Sequence, residues 1–193
     1  MRLGHAFAGL LLTLASWPAM AIEIPEYRVL EQDGAFELRA YSPYLIAETQ
    51  VEAEFMNAGN IAFGRLFRYI SGANTAQAEI AMTAPVEQAK GDGVFRVGFV
   101  VPRQYSRETV PKPTDPRVSV REVPARIVAV WRYSGRWTEE NFREHEQDLR
   151  RALQARGLQT VPGDSAIIAR YDAPFMPWFM RRNEVLIPLE RKP

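Results

Sequence analysis

The chain has 193 residues, 47% of them hydrophobic, which suits one ordinary globular domain or two small ones. Its 24 basic and 23 acidic residues become equal once Arg2 of the leader described below is set aside, so nothing suggests the clustered positive field that nucleic acid or an anionic membrane requires. The chain has no Cys, which excludes a disulfide framework, a thiol nucleophile, thiolate metal sites and covalent C-x-x-C-H attachment.

Residues 1–21 read as a cleaved signal: Arg2 precedes an apolar run over residues 6–15, and Ala19-Met20-Ala21 is an A-x-A site with the cut after Ala21. No later stretch approaches the ~20 apolar residues of a membrane span, so no permanent anchor is expected. The mature chain, 22–193, is read as one domain, periplasmic or secreted.

Residues 27–30 and 36–41 are strand candidates flanking Gln32-Asp33-Gly34, a tight-turn signal. After Ser42-Pro43, residues 44–54 form a third candidate with Leu45, Ala47, Thr49 and Val51 on one side; Glu48, Glu52 and Glu54 read as a solvated edge. Residues 58–72 (AGNIAFGRLFRYISG) predict a helix ending at Gly72. Ala62, Leu66, Tyr69 and Ile70 form its apolar face, and Phe63 and Phe67 widen that face to about 160°, beyond the roughly 100° that packing on a sheet needs. Arg65 and Arg68 lie opposite. The widened face is either deep core or the wall of a pocket.

Residues 80–86 (IAMTAPV) and 94–101 are the next strand candidates, with Phe95, Val97, Phe99 and Val101 on one face. Residues 104–116, with three prolines and no apolar period, predict an exposed connection. Strands follow at 118–123 and 127–133, then a helix from its N-cap Thr138 to Arg156, then strands at 166–171 and 184–189. The two halves, about 27–102 and 117–190, share the order strand, strand, helix, strand, strand, echoed by Arg39…Pro43 and Arg121…Pro124. The expected fold is α+β: duplicated halves forming a distorted β-barrel flanked by two helices.

His145 is the lone histidine beyond the leader, so no multi-histidine metal site exists; it is an axial-ligand candidate or a structural residue. There is no G-x-S-x-G, and Gly91-Asp92-Gly93 reads as a turn. Met56, Met82 and the Pro-punctuated run Phe175-Met176-Pro177-Trp178-Phe179-Met180 suit the lip of a site for a large, flat, apolar ligand, or the cap of a barrel. Arg181-Arg182 would pair with ligand carboxylates or with Glu184 and its neighbours.

ELRAYSP (37–43), FGRLFRYISGAN (63–74), IAMTAPV (80–86), YDAP (171–174) and RRNEV (181–185) occur in an order that resembles the SOUL or haem-binding-protein family across nearly the whole mature chain. The resemblance implies non-covalent binding of haem or another tetrapyrrole in a shallow apolar pocket beside the first helix. By position it implies Phe63, Phe67 and Arg68 as pocket residues, with Arg68 meeting a propionate and with Phe95 and Phe99 facing them. Some members carry a basic residue where this chain has Met176, which is retained as a contact candidate, and others a His where it has Ala40. If iron is ligated, the candidates are His145, Tyr171, Met176 and Met180. The expected role is a carrier, buffer or sensor in the cell envelope. The alternatives are a small-molecule hydrolase or effector-binding protein using the same pocket, or a module whose exposed aromatics bind a protein partner.

Overall fold

The computed structural model describes residues 22–91, 93–163 and 165–190; the leader expected at 1–21 lies outside them. Three strands, β1 (Tyr27–Asp33), β2 (Phe36–Tyr41) and β3 (Tyr44–Val51), precede helix α1 (Phe55–Ile70). Strands β4 (Val86–Gly91), β5 (Val94–Val100), β6 (Val118–Val123) and β7 (Arg126–Tyr133) lead to helix α2 (Glu139–Ala155), and β8 (Ile167–Arg170) and β9 (Asn183–Pro188) close the chain. All pairings are antiparallel, in one curled sheet ordered β1-β2-β7-β9-β8-β4-β5-β3-β6.

Exchanging β2 with β6, β3 with β7, β4 with β8 and β5 with β9 reverses that order from β2 onward and leaves it unchanged. The α+β expectation with duplicated halves holds, as a half-barrel. Of the exchanged strands, the first of each half pairs with the second of the other, β2 with β7 and β6 with β3, so the halves are interlocked.

Both helices cover the same face. Helix α1 lies on β3 and β5, and α2 on β7 and β9. Phe142 of α2 packs into both helix-side clusters and stacks on Phe55 at 6.2 Å. Alternation along the strands sends Ala129, Val185 and Ile187 toward α2, and Val128, Val130 and Leu186 to the other face. No helix among the described residues is long and apolar enough to cross a membrane.

Several sequence expectations are revised. Residues 81–85 are not a strand; the strand is β4, whose Glu87 and Gln88 are buried and made its sequence look polar. Glu48 is buried and paired with Arg121 at 2.9 Å, because β3 is flanked by β5 and β6 and has no free edge there. The connection after β5 is only partly exposed, since Val110 joins the α1 core and Tyr69 donates to the Pro111 carbonyl at 2.8 Å. Helix α1 starts three residues earlier than its periodicity indicates because buried Phe55 anchors the first turn against Phe95 and Phe142.

Candidate functional site

Helix α1 supplies the central surface. Ala62, Leu66, Tyr69 and Ile70 are buried, whereas Phe63 is 38% and Phe67 50% exposed. Their rings stack at 5.9 Å, only 11° from parallel, and Phe63 meets the edge of buried Phe99 at 5.2 Å. Phe99 thus backs the pair from β5, while Phe95 is buried against Phe55 and serves as core. Arg68 is exposed, one 100° step around the helix from Phe67, and makes no ion pair among the described residues.

The loop between β8 and β9 carries the other apolar candidates. Phe175, Phe179 and Met180 are 87%, 62% and 62% exposed, and Trp178 is 47% exposed. Met176 is half-buried, and its carbonyl accepts from Arg181 Nε at 2.9 Å; Arg181 also donates to the Pro174 carbonyl at 2.7 Å. The Trp178 carbonyl accepts from the Gly135 amide at 3.1 Å, which fastens the loop to the segment before α2.

Between α1 and this loop stands a group that sequence reasoning missed. Arg170, Asn183 and Tyr133 are cross-strand neighbours on β8, β9 and β7. Arg170 donates to Gln88 Oε1 at 2.9 Å, and an added Cβ at Gly59 of α1 would lie 3.1 Å from its Nη1. The guanidinium lies over Phe55 at 5.9 Å and over Trp137 at 5.4 Å. Arg181 lies over the same Trp137 ring at 4.3 Å, and Trp137 Nε1 donates to Asn183 Oδ1 at 2.8 Å. Burial lowers the Arg170 pKa to about 10, so it stays charged at neutral pH.

The helix-free face holds most of the remaining motif residues in a saturated ion cluster. Buried Arg39 donates to both Glu184 oxygens at 2.8 and 2.9 Å and to Glu37 at 2.8 Å. Tyr171 donates to Glu184 at 2.7 Å, and Arg182 completes the cluster at 2.8 Å. Burial acts to raise the Glu184 pKa, but the bonds and charge of Arg39 outweigh it and hold the carboxyl below its ordinary value. The Arg181-Arg182 pair therefore divides: Arg182 joins Glu184, and Arg181 faces Trp137. The same division separates Arg170 from Tyr171 and Asn183 from Glu184.

The iron-ligand candidates do not converge. The His145 ring lies tilted against Tyr133 at 4.2 Å with Nδ1 3.3 Å from Asp148, Tyr171 is held by Glu184 across the sheet, and Met176 and Met180 are in the loop. Among the described residues no three His, Cys, Asp or Glu side chains are grouped to hold a metal. Two clefts lie away from the aromatic pair: one of ≈ 550 Å³ beside Glu23 and Arg103, and one of ≈ 520 Å³ on the helix-free face beside Glu48 and Glu87.

The sequence profile described as SOUL heme-binding protein matches residues 22–188. The chain belongs to the SOUL family. Heme-binding protein 1 of Mus musculus is 29% identical over 163 residues, covering 80% of this chain and 84% of that protein. Heme-binding protein 2 of Homo sapiens is 26% identical over 187 residues, covering 91% and 90%. Among solved structures, the EcmrR C-terminal domain superposes with a TM-score of 0.61 at 11% identity, covering 86% of this SOUL chain and 99% of that one. A hydrolase from Listeria innocua gives 0.58 at 9% identity, covering 83% and 94%. At such identities these two structures share the fold alone.

Proposed function

We propose that this SOUL chain binds haem or a related tetrapyrrole, without covalent attachment, on the surface formed by α1 and the β8–β9 loop. The observation that carries the reading is the half-exposed, near-parallel Phe63–Phe67 pair in a chain of this family. Exposed stacked rings lose little by accepting a flat apolar face, and burial at ~25 cal/mol per Å² supplies several kcal/mol without an iron bond. The residues present fit the macrocycle: aromatic and Met side chains for its face, and Arg68, Arg170 and Arg181 for its carboxylate edge. Met176 and Met180 lie in the covering loop, whereas His145 and Tyr171 are already engaged. The relatives' names, Heme-binding protein 1 and 2, agree with this ligand.

The protein acts as a carrier, buffer or sensor in the cell envelope, exported by the leader and released after Ala21. The buried carboxyl with a raised pKa, Glu87, lies across the sheet from the aromatic pair, so no acid–base chemistry is assigned to this surface. Titration with haem and with iron-free protoporphyrin tests the reading. A saturable Soret change is expected with both; none with either overturns it. Fractionation of cells expressing the whole chain, with the mass of the released form, tests export and cleavage.

A further inference from the structure

Arg170 and Arg181 present two guanidinium groups to one Trp137 ring, and neither has a carboxylate within ion-pair distance among the described residues. Most other arginines near the sheet are paired: Arg39, Arg121, Arg132 and Arg182 all meet glutamates. A part-buried cation without a counter-ion is costly, and the cost is removed when an anion arrives. Arg170 Nε is buried with no hydrogen-bond partner, so the burial of this cation is left partly uncompensated within the fold. Gly59 is what lets α1 come this close: its missing Cβ leaves 3.1 Å to Arg170 Nη1. Phe63 lies one helical turn further along, about 5–6 Å away on the same flank.

We propose that Arg170 and Arg181, held on Trp137, form a carboxylate-binding subsite that takes the two side-chain carboxylates of a tetrapyrrole whose ring lies on Phe63 and Phe67. Gln88 takes Arg170 Nη2, and the Met176 and Pro174 carbonyls take Arg181 Nε and Nη2, which leaves Nη1 of each guanidinium for a charge-assisted bond to a carboxylate. The proposal rests on the tetrapyrrole reading and adds a specificity to it: the diacid is preferred to its neutral diester.

The test uses iron protoporphyrin IX and its dimethyl ester, titrated by Soret absorbance into the purified exported protein and into Arg170→Gln, Arg181→Gln and the double variant. The diacid is expected to bind at least about tenfold more tightly than the diester, as charge-assisted hydrogen bonds imply. Each single variant should shrink that ratio, and the double variant should shrink it further, with exposed Arg68 the basic residue left at the edge and with diester affinity unchanged. An unchanged ratio in the double variant, or no preference in the parent, overturns the subsite while leaving tetrapyrrole binding intact. Absence of binding by both compounds overturns the underlying reading and the subsite with it. Half-exposed Arg181 carries the test if Arg170→Gln does not fold. Ligand-free Arg170→Gln should melt no lower than the parent, since it removes an uncompensated charge; a lower melting temperature with an unchanged ratio marks a structural residue and overturns the role.

Discussion

Phe63 and Leu66 are three positions apart on α1 and should respond to truncation in opposite ways. Leu66→Ala opens a cavity in a fully buried site and should cost about 2–5 kcal/mol, read by denaturant unfolding. Phe63→Ala removes a ring already in partial contact with water, so stability should fall by less while porphyrin affinity drops by about tenfold. A large stability loss with unchanged affinity would return Phe63 to the core. Two glutamates give opposite pH signatures. Burial raises Glu87 above its ordinary 4.5, so its stabilising contribution is complete below about pH 4.5 and is lost as pH rises through the folded-state value. Glu87→Gln should therefore leave the melting temperature unchanged near about pH 4 and raise it near about pH 8. Glu184 is lowered, so its contribution is present above the ordinary carboxyl range and is lost as pH falls through the folded-state value. Glu184→Gln should destabilise by about 3–5 kcal/mol at neutral pH, because it leaves Arg39 buried without its bidentate partner. That deficit should shrink in acid; a pH-independent deficit would reject the assignment.

At the scale of elements, the end of α1 is set by Asn74 rather than by Gly72 alone. The Asn74 side chain donates to the carbonyls of Tyr69 and Ala78 at 3.0 and 2.8 Å, and accepts from the amides of Ala76 and Ala78 at 3.2 Å. Asn74→Ala should cost about 2–4 kcal/mol through groups left unpaired, and should weaken ligand binding because Phe67 stands in the turn it closes; thermal melts and porphyrin titration check both effects. Helix α1 was legible in the sequence because its signal is local, a 3.6-residue apolar period over consecutive residues. So was the Thr138 cap, whose side chain accepts from the Asn141 amide at 3.2 Å. Strand β4 was not, because its buried polar residues find distant partners: Tyr44 for Glu87, and the Phe55 carbonyl and Arg170 for Gln88. The Phe63–Phe67 part of the candidate site shows in the helical spacing. Arg181 was legible as a carboxylate partner, but Arg170, Trp137 and their grouping with it were not, because the pairing of β8 with β9 and β9 with β7 is what makes them neighbours.

At the scale of the molecule, the exchange of β2 and β6 means that neither half holds a complete sheet. Separate fragments 22–102 and 117–190 should each lack cooperative unfolding, and mixing or co-expression should restore it; a fragment that melts cooperatively alone would contradict the interlock. The repeated order of elements was readable in the sequence, but the exchange was not, since no local pattern records which half a strand will join. Three adjacent pairs, Arg170-Tyr171, Arg181-Arg182 and Asn183-Glu184, each give one side chain to the ligand side and the other to the ion cluster behind the sheet. Arg170 and Arg181, the side chains proposed to meet the ligand, therefore each stand one peptide from a member of the ion cluster on the opposite face. If the proposed subsite holds, replacing Arg170 or Arg181 should change which ligand is preferred while the bonds of Arg39, Tyr171 and Arg182 to Glu184 stay as they are.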